Sequence, residues 1–222
     1  MSLLLFFGFS LYAQPRVVGE PRVLVVMQGE PAQTPVWSPD GAKLFLNNGT
    51  MEVSVDGTDL RRAVAPVSNL RRMELVANPL LQQMISDPMN VASQVQGLQP
   101  LSGQMIFNPV LSPQGDRIVF QAGYSGMYVI NVDGSGFHKI SSQAERATWT
   151  ADGKYVVAMK TEDDGRFFTK GELKSIDVSN GNESVLFSSE RFITLSPAIS
   201  PDGKQLVFAD FISGAIYIMD IQ

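Results

Sequence analysis

The sequence has no cysteine and a single histidine, His138, in 222 residues. No disulfide framework, thiolate zinc site or cysteine nucleophile can be built from it, and a multi-histidine metal centre is excluded. Basic residues are also few. Seventeen Lys and Arg stand against 22 Asp and Glu, a net charge of −5, with no basic stripe of the kind nucleic-acid-binding domains carry. No Gly-rich phosphate loop, nucleophile elbow or metalloprotease signature occurs. No apolar run is long enough to span a bilayer, so no transmembrane anchor is expected. The opening run Leu3-Leu4-Leu5-Phe6-Phe7-Gly8-Phe9 ends at Leu11-Tyr12-Ala13-Gln14, where Ala13 is a small residue before a cleavage point. Residues 1–13 therefore read as the apolar part of a secretory signal peptide, although no Lys or Arg precedes them. The alternative is a buried N-terminal strand. Residues 14–222 are expected to form one exported domain, periplasmic or secreted.

Glycine and proline are plentiful, at 19 and 13, and their placement repeats. Ser38-Pro39-Asp40-Gly41 returns as Ser112-Pro113-Gln114-Gly115, Thr150-Ala151-Asp152-Gly153 and Ser200-Pro201-Asp202-Gly203. Pro presets φ for a tight turn, and Asp and Gly tolerate left-handed backbone. A short apolar stretch precedes each copy and a hydrophobic run follows it, such as Arg117-Ile118-Val119-Phe120 or Gln205-Leu206-Val207-Phe208. Third strands with a second turn come next, as in Met127–Val132 with Asp133-Gly134-Ser135-Gly136. The last unit lacks its fourth strand, and the spare strand Arg22–Met27 can supply it by pairing with Ile216–Ile221. Four-stranded antiparallel units closed by the N-terminal strand describe an all-β propeller, a closure that removes an exposed edge.

The apolar-Trp-Ser-Pro-Asp-Gly pattern, followed by Tyr-Val-Ile-Asn-Val-Asp-Gly-Ser-Gly, resembles the WD-repeat-like blades of TolB-type propellers. Residues Pro35–Leu46, Pro109–Ile140, Ala147–Ala158 and Pro197–Ile221 carry the resemblance. It implies a non-enzymatic, envelope-associated scaffold that binds another protein or a cell-envelope component. Related readings are a propeller that binds a glycan or small ligand, and a non-catalytic relative of a propeller enzyme.

The four turns lie 74, 38 and 50 residues apart (38 to 112, 112 to 150, 150 to 200). One blade takes about 40 residues, so the first gap has room for a fifth, degenerate blade over Ala65–Gly103, and five blades are expected. The alternative is four blades and a short helical insertion at 78–97: Asn78-Pro79 is a helix start, Asp87-Pro88 a second, and Gly97 a stop. Arg72–Ala77 could still be a strand.

Tight turns between first and second strands, and between third and fourth, share one face of the disc. The irregular stretches, the loop Thr161–Glu172 and the insertion, are expected on the other, which becomes the candidate interaction face. Its residues are Asp163, Asp164, Arg166, Phe167, Phe168 and Lys170, with Arg71 and Arg72 as a candidate basic patch. The two phenylalanines either anchor the loop or meet a partner. Asp40, Asp152 and Asp202 read as turn chemistry, because Gln114 fills the same slot. Trp37 and Trp149 read as blade packing, and His138 as an exposed edge residue. No catalytic residue, metal site or cofactor is expected. A calcium ion in the acidic loop is disfavoured, since the alternating ligand spacing of a calcium loop is missing.

Overall fold

Side chains alternate across a strand, and the second strand of each repeat is apolar on both sides. In β15 (Gln205–Asp210), Leu206 and Phe208 point one way and Val207 and Ala209 the other, all of them buried. Such a strand needs a neighbour on each face. The computed structural model describes residues 14–27, 33–64 and 78–222 and supplies those neighbours as four four-stranded antiparallel sheets in a propeller ring.

Blade I is β2 (Val36–Trp37), β3 (Lys43–Leu46), β4 (Met51–Ser54) and β5 (Arg61–Arg62). Blade II is β6 (Ile106–Leu111), β7 (Arg117–Ala122), β8 (Met127–Asn131) and β9 (His138–Ser141). Blade III is β10 (Glu145–Trp149), β11 (Tyr155–Asp163), β12 (Phe168–Asp177) and β13 (Glu183–Ser188). Blade IV is β14 (Thr194–Ile199), β15, β16 (Ala215–Ile221) and, from the other end of the chain, β1 (Val17–Val26). The strands of each blade are called a to d in that order. The expected closure is present: Val17 pairs with Ile221 and Val26 with Ala215, and Arg16 and Gln222 exchange two backbone hydrogen bonds of 2.8 and 2.9 Å.

Apolar clusters cement neighbouring blades. Val119 and Val129 of blade II meet Trp149, Val156 and Ile176 of blade III. Val157 and Leu173 on the other face of blade III meet Leu206, Phe208 and Met219 of blade IV. Val207, Ile216 and Ile218 then meet Leu44, Leu46 and Val53 of blade I. Each such side chain, fully buried, contributes roughly 1.5–3 kcal/mol. The tryptophans also bond across these seams: Trp149 Nε1 donates to the Val110 carbonyl and Trp37 Nε1 to the Ala198 carbonyl, both at 3.0 Å. In each case the indole reaches the first strand of the neighbouring blade. Ile199, at the equivalent position of blade IV, has no such donor, and there its backbone N–H reaches Thr148 Oγ1 of blade III at 3.2 Å.

The expected fifth blade is not present among the described residues. Helix α1 (Pro79–Ser86), helix α2 (Val91–Gln94) and a 3-10 segment (Gln96–Leu101) stand in its place, as in the four-blade alternative. Leu80, Leu81, Met84, Val91 and Leu98 cover the face of blade II formed by Ile118, Phe120 and Ile130. That face would otherwise meet another blade. Asn78 accepts the Leu81 N–H at 2.9 Å and Pro79 opens α1, as read from the sequence. Asp87 differs from expectation, for it closes α1, its N–H bonded to the Gln83 carbonyl at 2.9 Å. Gly97 is no stop either. It lies inside the 3-10 segment, where a Cβ would collide with the Gly134 carbonyl. Among the described residues, no helix is long and apolar enough to cross a membrane. The expected signal peptide at 1–13, the strand candidate Arg72–Ala77 and the patch Arg71 and Arg72 lie outside the described residues.

Candidate interaction face

Antiparallel strands put the a–b and c–d turns on one rim and the b–c turns and d–a connections on the other. The first rim is built of self-satisfied turns. Ser38 Oγ donates to Asp40 Oδ1 at 2.6 Å, and the same carboxylate accepts the Ala42 N–H at 3.0 Å. Thr150 with Asp152 and Ser200 with Asp202 repeat the 2.6 Å bond. The Gln114 copy changes the reading drawn from it. Ser112 Oγ there donates to Asp116 Oδ1 at 2.7 Å, so a carboxylate two positions later takes the vacated role. Gln114 is released to donate to the Ala151 carbonyl of blade III at 3.1 Å. The serine hydroxyls hold the Asp40, Asp116 and Asp202 carboxyls below the usual carboxylate range. These acids are turn chemistry, and every copy has one.

The c–d turns follow the same economy. Asp56, Asp133 and Asp177 accept from the hydroxyls of Thr58, Ser135 and Ser179 at 2.7, 2.6 and 2.6 Å. Leu60, 38% exposed, is the one large apolar side chain that a described turn on this rim exposes, and no described turn here exposes an aromatic ring.

The opposite rim does. Tyr124, in the b–c turn of blade II, is fully exposed at 105%. Phe167 of blade III is 54% exposed, and Phe211 and Ile212 of blade IV are 44% and 62% exposed. Phe107 at the start of β6 adds a further 41% exposed ring on that side. Only blade I, with Asn47-Asn48-Gly49-Thr50, has a polar b–c turn.

The stretch Thr161–Glu172, expected to be a loop, is the end of a hairpin. Strands β11 and β12 continue pairing from Met159–Leu173 out to Asp163–Phe168, beyond the ladders of the other blades, and only residues 164–167 turn. The alternation Thr161, Glu162, Asp163 against Phe168, Thr169, Lys170 suits a two-sided exposed ribbon, which carries no apolar period to announce it. Its acids serve the turn: Asp163 accepts the Gly165 N–H at 2.8 Å, and Asp164 accepts those of Arg166 and Phe167 at 2.9 and 2.8 Å. The two backbone bonds hold the Asp164 carboxyl below its ordinary value. No group of three or more His, Asp or Glu suited to a metal ion occurs among the described residues.

The two phenylalanines divide the roles expected of them. Phe168 is half-buried and meets Phe211 edge-on, with ring centroids 5.4 Å apart, which ties the hairpin to blade IV. Phe167 faces solvent beneath Arg166, whose guanidinium lies 5.1 Å from its centroid. Lys170 sits between Glu162 and Glu172 at 3.8 and 3.5 Å, and Lys174 is 2.9 Å from Glu172. Burial raises the Glu172 pKa, but Lys174 and Lys170 outweigh it and the net shift is downward.

Sequence reasoning missed one set of residues. Thr34, Asn108, Arg146 and Ser196 each precede the motif hydroxyl by four positions, and each has a left-handed φ, of 47, 47, 48 and 49°. The last three sit at a bulge of the innermost strand, between pairs Phe107–Gln121 and Val110–Val119, Glu145–Met159 and Thr148–Val157, and Leu195–Ala209 and Ala198–Val207. A signal was available: three of the four are polar residues directly before proline (Thr34-Pro35, Asn108-Pro109, Ser196-Pro197). Positive φ at non-glycine residues costs energy and concentrates at functional or tightly constrained positions.

His138 is exposed, as expected of an edge residue, yet it is bound. Its Nδ1 lies 2.7 Å from the Gly136 carbonyl and its Nε2 2.8 Å from the Val178 carbonyl of blade III. It links the outer strand of blade II to the c–d turn of blade III, with both ring nitrogens facing backbone carbonyls.

No family model matches the chain, and no curated protein matches it in sequence. Among solved structures, it is similar to TolB from Agrobacterium tumefaciens at 19% identity and a TM-score of 0.43, over 89% of this chain and 60% of that one. Prolyl endopeptidases are similar at 13% identity and a TM-score of 0.40, over 81% of this chain and 26% of theirs. The β-propeller domain of the trilobed protease from Pyrococcus furiosus is similar at 14% identity and a TM-score of 0.42, over 53% of this chain and 39% of that one. The chain thus spans about three-fifths of the TolB structure's length and less of the others. The propeller assignment itself rests on the sheets described above.

Proposed function

We propose that this chain is a non-enzymatic, exported propeller that binds another protein or a cell-envelope component through the rim carrying its b–c turns. One observation carries the reading. The exposed aromatic turn residues Tyr124, Phe167 and Phe211 lie on that rim in three different blades, and the opposite rim exposes none among the described residues. Monomeric surfaces normally keep such side chains scattered, and gathering them on one rim marks a contact surface. The resemblance to TolB-type blades points to the same envelope setting and to a protein partner. The short a–b and c–d turns, their donors and acceptors already spent on one another, act as the rigid side of the scaffold.

The test is recovery of binding partners from an envelope extract with wild-type protein, a rim variant (Phe167→Ser with Phe211→Ser) and a variant of the opposite rim (Asp152→Ser). Partners held by wild type and the Asp152 variant but lost by the double variant support the proposal. Equal recovery by all three removes the b–c rim from the interface. Turnover on a hydrolase or lyase panel that survives purification would instead favour an enzyme.

A further inference from the structure

We propose that the axial mouth on the b–c rim is a carboxylate-binding site, with Arg146 supplying its charge. The inference uses the rim reading only for its location and would stand without a protein partner.

The first strands of the four blades are the innermost. Strand β10 packs against both β6 and β14, and β14 against β2, so equivalent positions on them gather about one axis. Thr34, Asn108, Arg146 and Ser196 occupy one such position, in the half of each strand nearest the d–a connections and hence at the b–c rim. All four carry side-chain N–H or O–H groups and none is an acid, although the Thr34 hydroxyl is engaged with Asn48, donating to its Oδ1 at 3.5 Å and accepting its N–H at 3.2 Å. In a chain of net charge −5 with 22 carboxylates, that selection at four equivalent places favours an anion.

Two local details sharpen the chemistry. Gln121 Oε1 accepts the backbone N–H of Arg146 at 3.2 Å and the Asn108 Nδ2 at 2.9 Å. The backbone donor fixes which end of Gln121 faces inward, and this orients Asn108 as a donor with a second N–H to spare. Arg146 itself is exposed, and its guanidinium has no ion pair or hydrogen bond among the described residues. A planar guanidinium with free donors matches a carboxylate in two-point geometry. A single cation matches one carboxylate group, including one end of a dicarboxylate whose other end stays in water, better than a phosphate dianion, which gathers two charges on one centre. Glu145 is the nearest acid in sequence, and it forms no ion pair with Arg146. The ring of donors is held by backbone that three bulges keep in place.

Arg146→Asn is the informative variant, because asparagine tolerates the left-handed backbone that Arg146 adopts, as Asn108 does in the neighbouring blade. Binding is read by calorimetry at constant ionic strength with succinate, inorganic phosphate, and a peptide ending in a free carboxylate alongside its amidated twin. The expected result is binding of succinate or the free-carboxylate peptide by wild type. Arg146→Asn should weaken it about tenfold or more, as loss of a charge-assisted pair implies. Lys204→Gln, in the a–b turn of blade IV on the opposite rim, should bind as wild type does. Preference for the peptide over its amide identifies a chain end as the source of the carboxylate, and succinate alone identifies a free acid; both support the site. No binding by either probe, unchanged binding in Arg146→Asn with melting temperature preserved, or tighter binding of phosphate than of succinate overturns it. Failure here leaves the rim proposal intact, since that is read from the Phe167 and Phe211 variants.

Discussion

Trp149→Phe should destabilise the chain by about 2 kcal/mol, and the reasoning is explicit. Trp149 is buried between blades II and III, its indole N–H 3.0 Å from the Val110 carbonyl and its ring face 5.3 Å from the Arg117 guanidinium. Phenylalanine keeps an aromatic ring but has no donor. A net hydrogen bond is worth about 1 kcal/mol, and the smaller ring leaves a void whose cost is again about 1 kcal/mol at the mild end of large-to-small core changes. For a domain of this size, each kcal/mol moves the melting temperature by about 2–4 °C, so a fall of roughly 4–8 °C is expected. Trp37→Phe, with its bond to the Ala198 carbonyl, should behave alike. Differential scanning calorimetry or urea denaturation provides the measurement. A fall below about 1 °C in both variants would refute the view that the indole bonds tie the blades together.

Other outcomes follow from the same structure. The Asp40, Asp116 and Asp202 carboxyls titrate below their unfolded values in the folded state, so their stabilisation is complete above about pH 4 and is lost as pH falls through the folded values. Urea midpoints should therefore drop as pH falls below about 4, and Asp116→Asn combined with Asp202→Asn should flatten that drop. His138→Ala removes the contacts to Gly136 and Val178 and should cost about 1 kcal/mol while leaving partner recovery unchanged. Val25→Asp places a charge on the closing strand where Val25 is buried between blades IV and I, and should yield insoluble or unfolded protein, read by circular dichroism. Phe167→Ser should leave stability within about 0.5 kcal/mol, because that ring is mainly exposed.

The repeats were legible because turn chemistry is local: Pro, Asp and Gly act through their own φ and their own hydrogen bonds. Blade class, strand order and the terminal closure therefore follow from the chain alone. The number of blades depended on a stretch where two physical signals competed. Spacing allowed a fifth blade, whereas Asn78-Pro79 specified a helix start, and the capping chemistry prevailed. The hairpin past Thr161 was hidden because both of its faces are polar and no alternation marks it as strand. Gln114 misled by appearing to vacate the acid, which Asp116 supplies from two positions downstream. At the rim, Phe167 and Phe168 were picked out as a pair, but only the packing against Phe211 tells anchor from exposed ring. Arg146 has no motif of its own, and only its equivalence with Thr34, Asn108 and Ser196 gives it meaning.

The central claim is that one rim of the propeller meets the partner and the other does not. A photo-crosslinking amino acid placed at Phe167, and separately at Asp152, tests it in cells that produce the protein. The account predicts a discrete crosslinked species from position 167 and none from position 152. Crosslinking from 152 with none from 167 would contradict it.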